Sequence, residues 1–137
     1  MAMTIDEMPL FAMLKQRMSW LSARQNVLAQ NVANADTPGF NARDLKPINF
    51  EDVLHNVTKT SAASGLMTTD PRHIALKQTS TNDFTDVDAP DAPAPFGGNT
   101  VSLEQEMIRV ADTQAEYQAA SNLYAKAIDM MKLAIGH

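Results

Sequence analysis

The feature that most constrains this sequence is a pair of long heptad patterns, one towards each end. The first advances in alternating steps of three and four residues, and Gln25 is its polar interruption. This is the spacing of the a and d positions of a coiled coil, so it predicts a long helix. Its apolar positions are Phe11, Leu14, Met18, Leu21, Leu28, Val32 and Ala35.

Two prolines bound this first helix. Pro9 suits the first turn, where its missing N–H costs no hydrogen bond. Pro38 disfavours the α region for the residue before it, and Pro38-Gly39 suits the centre of a type II turn with Gly39 at positive φ. We therefore expect a helix over residues 9–36, with Phe40 packing back on its end.

Asn31 and Asn34 lie three residues apart in the last turns of this helix. Their amides are placed to bond the unpaired carbonyls of the helix end or to bond a neighbouring subunit. A helix stop without further function is the alternative that the residues alone leave open.

The second heptad pattern predicts a helix over residues 101–136. Ser102-Leu103-Glu104-Gln105 has the form of a capping box at its start, and Gly136 suits its end. A second stripe that includes Leu123 and Met130 widens the apolar face, so this helix is able to contact two partners. The main apolar positions are Leu103, Met107, Val110, Tyr117, Tyr124, Ile128, Met131 and Ile135.

The charges of the two helices favour their pairing. Residues 9–35 carry three basic side chains and no acid, whereas residues 103–135 carry five acids and three bases, a net charge of 3 − 5 = −2. Opposite charges favour pairing of unlike helices. We expect an all-α fold in which the two helices form an antiparallel, coiled-coil-like hairpin.

The middle of the chain, residues 37–100, is expected to be irregular and partly disordered. Residues 49–54 suit a short capped helix. The stretch "TNDFTDVDAPDAPAPFGGNT" has four acids, no base, three prolines and two glycines, which is typical of an acidic connector. The 137 residues allow one domain, here residues 1–137.

Two helices alone bury only one seam, so the remaining burial must come from other copies or other proteins. The sequence therefore indicates an assembly subunit. We predict subunit packing through Phe11, Leu14, Met18, Leu21, Leu28, Val32, Met107, Val110, Tyr117, Tyr124, Ile128, Met131 and Ile135.

Composition excludes several other classes of protein. The net charge of −5 argues against a nucleic-acid binder, and no apolar run is long enough for a membrane span. The acidic N-terminus does not resemble a cleaved secretory signal. His55, His73 and His137 share no ligand spacing, and the acids of residues 83–91 lack the pattern of a calcium loop. We expect no catalytic residue, no metal, no cofactor and no enzymatic activity.

Several segments resemble one known family. "LSARQNVLAQNVANADTPGFNARDL" is similar to the N-terminal signature of the axial rod and hook proteins of the bacterial flagellum. "TTDPRHIAL" and "GGNTVSLEQEMIRVADTQAEYQAASNLYAKAIDMMKLAIG" resemble segments of the small proximal-rod subunits. Ser102 stands where many relatives are expected to have aspartate, and either residue caps a helix. The shared motif falls on Asn31, Asn34, Thr37, Pro38, Gly39 and Phe40.

The resemblance implies a structural subunit of the basal-body rod in the periplasm. Such subunits polymerise into a helical tube that transmits torque and lines the export channel, after type III export from the cytoplasm without a cleaved signal. The implied partners are further copies of the chain, axial proteins of the FliE, FlgC, FlgF and FlgG type, and the export gate. The alternatives are another small rod subunit such as FlgC, or a helical adaptor outside the flagellum.

Overall fold

The computed structural model describes residues 8–49, 51–55, 84–91, 93 and 96–136. In chain order these form helix α1 (Pro9–Ala33), strand β1 (Arg43–Leu45), a short helix α2 at residues 51–55, strand β2 (Asp86–Asp88) and helix α3 (Leu103–Ile135). Several predictions concern residues outside this described part of the chain. They are those for the segment "TTDPRHIAL", for His73 and His137, and for most of the middle that was expected to be partly disordered.

Helix α1 starts where its proline predicts and ends earlier than residue 36. Pro9 occupies the first turn, after Met8 in an extended conformation. Asn34 leaves the helical region at φ −103° and ψ 17°, and the chain then closes a turn by a 3.0 Å bond from the Thr37 N–H to the Asn34 carbonyl. Residues 34–36 therefore form turns, because the chain must leave the helix before the constrained Thr37-Pro38 pair.

The two long helices pack against each other in opposite directions, which confirms the predicted hairpin. Near the start of α1, the rings of Phe11 and Tyr124 meet edge to face with centroids 5.5 Å apart. Further along, Arg17 Nη2 lies 2.7 Å from Glu116 Oε2. At the other end, Asn31 Nδ2 lies 3.1 Å from Glu106 Oε2. As the residue number increases along α1, the number of its contact residue on α3 decreases, which is the order of an antiparallel pair.

The face that α3 turns towards α1 differs from its heptad stripe by one residue. The buried side chains of α3 are Glu106, Thr113 and Ala127. They directly precede Met107, Gln114 and Ile128, of which Gln114 is a polar interruption of the same heptad spacing. Thr113 satisfies its hydroxyl by a 2.7 Å bond to the Arg109 carbonyl. Thr113 and Ala127 are small, whereas larger apolar side chains of α3 such as Leu123 and Met130 stay exposed.

The middle contains a small antiparallel sheet that the sequence patterns did not predict. Strand β1 pairs with β2, and Leu45 lies opposite Asp86. Arg43 Nη1 is 2.9 Å from Asp86 Oδ2, so one base of β1 balances part of the acidic stretch. Residues 51–55 are helical, as predicted, and the Val53 N–H bonds to the Asn49 carbonyl at 3.2 Å.

The hydrophobic core lies where β1 crosses the middle of α1. Trp20, Leu21 and Leu45 form a buried cluster, and Ala120 of α3 packs against it. Trp20 donates its indole N–H to the Lys46 carbonyl at 2.9 Å. Arg24 bonds both carboxylate oxygens of Asp44, at 2.9 and 3.0 Å, which holds β1 against α1. The core therefore joins both helices to the first strand.

Candidate functional site

The end of α1 is closed by a side chain from far along the sequence. Asn99 directs its amide nitrogen at three carbonyls beyond the helix, those of Asn34, Ala35 and Thr37, at distances of 2.9, 2.7 and 2.9 Å. Asn34 in turn donates to the Gln30 carbonyl at 2.8 Å. Carbonyls that a helix end leaves unpaired are thus bonded within the chain.

The turn after the helix has the predicted form. The Phe40 N–H points to the Thr37 carbonyl at 3.3 Å, and Gly39 has φ 73°. These observations confirm the turn around Pro38-Gly39. The Gly39 N–H also donates to the Gly97 carbonyl at 2.7 Å, so a second loop lies directly on the turn.

Gly98 is required by this close approach. It has φ 73°, and a Cβ atom on it would lie 3.3 Å from the Gly39 Cα. Any larger residue would be strained and would press on the neighbouring backbone. The turn after α1 and the loop before α3 together form what we call the corner, residues 34–40 and 96–102.

Asn31 is fully buried beside the corner and bonds in two directions. Its amide nitrogen donates to the Arg43 carbonyl at 2.6 Å and to Glu106 Oε2 at 3.1 Å. Its amide oxygen accepts the Arg43 N–H at 3.0 Å. One side chain therefore links α1, β1 and α3. One of the two roles expected from the sequence was a bond from Asn31 to the carbonyls of the helix end; the amide instead bonds β1 and α3.

Two buried carboxyl groups share one arginine next to Asn31. Arg109 Nη1 lies 2.7 Å from Asp91 Oδ1 and 3.0 Å from Glu106 Oε1. The side chains of Asp91 and Glu106 are fully buried, whereas Arg109 is partly exposed. We call Asn31, Asp91, Glu106 and Arg109 the polar cluster. Two acids near one base favour retention of a proton.

This arrangement raises the pKa of Glu106 above its ordinary value of 4.5. Burial is the main cause, because it disfavours the charged form. The Asn31 amide lowers the pKa, the neighbouring Asp91 raises it, and the Arg109 guanidinium lowers it. The net effect is a carboxyl group that holds its proton more tightly in the folded chain.

Stability should consequently depend on pH through Glu106. Its favourable contribution is present below the ordinary carboxyl pKa and is lost as the pH rises through the higher pKa of the folded chain. We expect the unfolding free energy of the wild type, relative to that of Glu106→Gln, to fall over this interval. Urea unfolding followed by circular dichroism measures the difference. Glu104→Gln, at an exposed position of the same helix, is the control, and a pH-independent difference at position 106 would contradict the assignment.

The capping box predicted at the start of α3 is not formed by the Ser102 side chain. Ser102 is the residue before the helix, but its side chain makes no capping bond. Asp91 Oδ2 instead accepts the Ser102 N–H at 3.0 Å, the bond that a glutamine within the box would otherwise make. A residue from the acidic connector thus caps α3, and sequence spacing could not reveal it.

The predicted packing positions divide into two groups. Phe11, Leu21 and Leu28 are buried within the chain. Those half-buried are Leu14, Met18, Val32, Val110, Tyr124, Ile128 and Met131, and those exposed are Met107, Tyr117 and Ile135. In the motif, Asn31 is buried, Asn34 and Phe40 are half-buried, and Thr37, Pro38 and Gly39 are exposed. Their part in contacts between subunits stays a prediction.

Helix α3 carries the largest group of exposed apolar side chains among the described residues, and we call the exposed surface of this helix its outer face. Leu123 is 50% exposed and Met130 is 54% exposed, at positions seven residues apart on the helix. Exposed apolar patches of this kind mark interaction sites. The exposed large apolar residues of α3 are Leu103, Met107, Ile108, Tyr117, Leu123, Met130, Leu133 and Ile135.

Two other kinds of site find no support in the described part of the chain. Its histidines and acids form no group of three or more that is arranged to hold a metal ion. Its helices, even the two long ones, lack a stretch long and apolar enough to cross a membrane.

Comparisons with known proteins agree with the helical hairpin and its corner. The model of a family described as flagella basal body rod protein matches residues 14–41, which span most of α1 and the turn. A flagellar basal body rod protein FlgB of Agrobacterium fabrum is 30% identical, over 98% of each chain. The FlgB of Aeromonas hydrophila is 38% identical over 88% of this chain and 86% of its own. The FlgB of Yersinia enterocolitica is 42% identical over 69% of this chain and 70% of its own length.

A hairpin of two long helices with an apolar outer face defines a structural assembly subunit. The chain belongs to the flagellar basal-body rod proteins and, within them, to the FlgB family. The alternative of a FlgC subunit is not favoured, since these relatives, which cover 98% and 88% of this chain, are FlgB proteins.

Proposed function

We propose that this chain polymerises through the faces of α1 and α3 into the proximal rod, where it transmits torque and lines the export channel. The exposed apolar side chains of α3 carry the proposal, because they keep between 39% and 79% of their surface exposed in the single chain. Burial of such a face against neighbours is the main favourable term in protein association.

Family membership supports the finer parts of this proposal. We place the subunit in the periplasmic part of the basal body, after export by the type III apparatus. Its neighbours would be further copies of itself and axial proteins of the FliE, FlgC, FlgF and FlgG type, together with the export gate. A structural role needs no catalytic group, which is in keeping with the polar cluster serving the fold.

The charges within the hairpin also bear on assembly. Arg17 and Arg24 of α1 pair with Glu116 and Asp44 of the same chain, so their charges are largely balanced before assembly. Contacts between subunits would then depend on apolar surface more than on α1 charge. We expect rod assembly to depend only weakly on salt, since exposed ion pairs are the interactions that salt screens.

The double substitution Leu123→Glu with Met130→Glu tests the outer face of α3. Neither side chain belongs to the buried core, so the purified variant should keep the helix content of the wild type. Two charges in an apolar interface should abolish rod assembly, because a buried unpaired charge costs several kcal/mol, roughly 3 or more. Swimming in soft agar and electron microscopy of purified basal bodies measure the effect.

Gln118→Glu with Asn122→Glu is the matched control, at two exposed polar positions of the same helix. It adds the same charge outside the apolar positions and should leave swimming close to normal. Normal swimming of the variant at positions 123 and 130 would show that this face is not a subunit contact.

A further inference from the structure

One aromatic side chain of the corner points wholly into solvent. Phe96 is fully exposed, although it is large and apolar. The residues after it are held firmly: the Gly97 carbonyl accepts the Gly39 N–H at 2.7 Å, and Asn99 bonds three carbonyls of the α1 end. The fold therefore presents Phe96 from an anchored loop, and a pre-positioned side chain loses less entropy on binding.

An apolar hollow lies at the opposite end of the hairpin. It is open to solvent and has a volume of about 280 Å³ beside the N-terminal half of α1, and Leu10 in its lining is 54% exposed. A cavity of about 150 Å³ already accommodates benzene, so the hollow has room for a phenylalanine ring. Its lining is Leu10, Met13, Leu14, Arg17, Ile48 and Val53.

The hollow and Phe96 do not meet within one chain. The hollow is lined by residues 10–17 of α1, and Phe96 lies beyond the other end of that helix, next to the Gly39 turn. From Leu14 to Ala33 a helix rises roughly 30 Å at 1.5 Å per residue. A contact between the two features therefore requires a second molecule.

We propose that Phe96 of one copy inserts into the hollow of the next copy, so that the corner of each hairpin docks on the opposite end of its neighbour. This inference rests on the proposed function as a rod subunit and names one contact of that assembly. A projecting ring and a ring-sized apolar hollow on the same chain are complementary in size and polarity. Aromatic anchors seated in pockets are typical of the energetic centres of interfaces.

The geometry of this contact also suits a polymer. The two surfaces differ, so the contact is heterologous, and each added copy leaves one Phe96 and one hollow available at the ends. Arg17 is one of the residues that line the hollow, and its guanidinium group lies over the Trp20 ring, 4.8 Å from the centroid. Arg17 can thus contact the incoming ring without losing its own pairing with Glu116.

Disulfide cross-linking in assembled basal bodies tests the contact. The chain has no cysteine, so introduced thiols are its only ones. Cells lacking the wild-type chain would express Phe96→Cys and Leu10→Cys chains together, and purified basal bodies would be oxidised and run on a non-reducing gel. A disulfide requires Cβ atoms about 4 Å apart, so a linked dimer from the mixture reports the docked pair.

Leu133→Cys replaces Leu10→Cys in the control mixture. Leu133 is an apolar residue, 79% exposed, near the same end of the hairpin but outside the hollow. We expect about tenfold more dimer with Leu10→Cys than with Leu133→Cys. Rods that assemble without the Leu10 cross-link, or that link through Leu133 instead, would overturn the inference and leave the proposed rod function intact. Absence of the wild-type chain from basal bodies would contradict the proposed function itself.

A second pair of variants covers the case in which a cysteine at position 96 prevents assembly. Phe96→Asp should reduce incorporation into basal bodies at least about tenfold, since it places a charge in an apolar hollow. Phe96→Leu keeps an apolar side chain and should retain most of it. Both purified chains should show wild-type helix content, because Phe96 is fully exposed. Normal incorporation of Phe96→Asp would overturn the proposal.

Discussion

Replacing Leu28 with aspartate should unfold the helical hairpin. Leu28 has no solvent-exposed surface, and it lies on the seam that runs along α1. The substitution removes a large buried apolar side chain and puts a carboxylate in its place, which should cost about 4 kcal/mol or more. That is a large part of the roughly 5–15 kcal/mol by which domains are stable. Urea unfolding monitored by circular dichroism gives the loss directly, and swimming should be abolished.

The neighbouring substitution Ala29→Asp is the control for Leu28→Asp. Ala29 is exposed on the same helix, so the same carboxylate reaches water there. We expect a loss of only about 0.7 kcal/mol at position 29, the helix-propensity cost of replacing alanine by aspartate. Comparable losses at the two positions would show that helix propensity, and not burial in the seam, determines the effect.

Asn31→Asp should cause the second large loss, through a change of chemistry with almost no change of shape. The introduced carboxylate cannot donate to the Arg43 carbonyl or to Glu106, and it adds a third acid to a buried cluster with one arginine. We expect a loss of at least about 3 kcal/mol at neutral pH, the scale found when buried charges lose their partners. Chemical denaturation at several pH values is the measurement.

Low pH should restore part of this loss, because protonation of the introduced carboxylate or of Glu106 removes the repulsion and returns a donor to the cluster. Asn26→Asp is the matched control, since Asn26 is exposed on the same helix and receives the same change of amide to acid. A loss at position 31 that is equal to that at position 26, or independent of pH, would be evidence against the polar cluster as a determinant of stability.

The helices were predictable because their information is periodic and local. Heptad spacing identified α1 and α3, and Pro9 and the Thr37-Pro38-Gly39 stretch marked where α1 begins and the turn that follows. The predicted boundary at residue 36 was three residues late. The sequence identifies Pro38 as the residue that prevents the helix from continuing. The turns at residues 34–36 before it depend on hydrogen bonds that only the folded chain makes.

The corner was not predictable because its bonds join residues far apart in sequence. Asn99 caps carbonyls more than sixty positions earlier, and Asn31 meets Glu106 across seventy-five. Asp91 resembled one acid of a solvated connector, yet it is buried and caps α3. The strands β1 and β2 have three residues each, too few to show an alternating pattern. Only the folded topology brings these groups together.

The pairing of β1 with β2 makes the hairpin tolerant of change in chain length. Because Leu45 lies opposite Asp86, the chain leaves and re-enters the helical scaffold at nearly one point. The entropy of closing a loop between two fixed ends grows only slowly with its length. We therefore expect insertions between residues 55 and 84 to leave both helices in place, whereas Lys46, Ile48 and Phe84 contact the core and must keep their positions. The paired strands hold the two ends of this segment together, so its length can change in evolution independently of the helical scaffold.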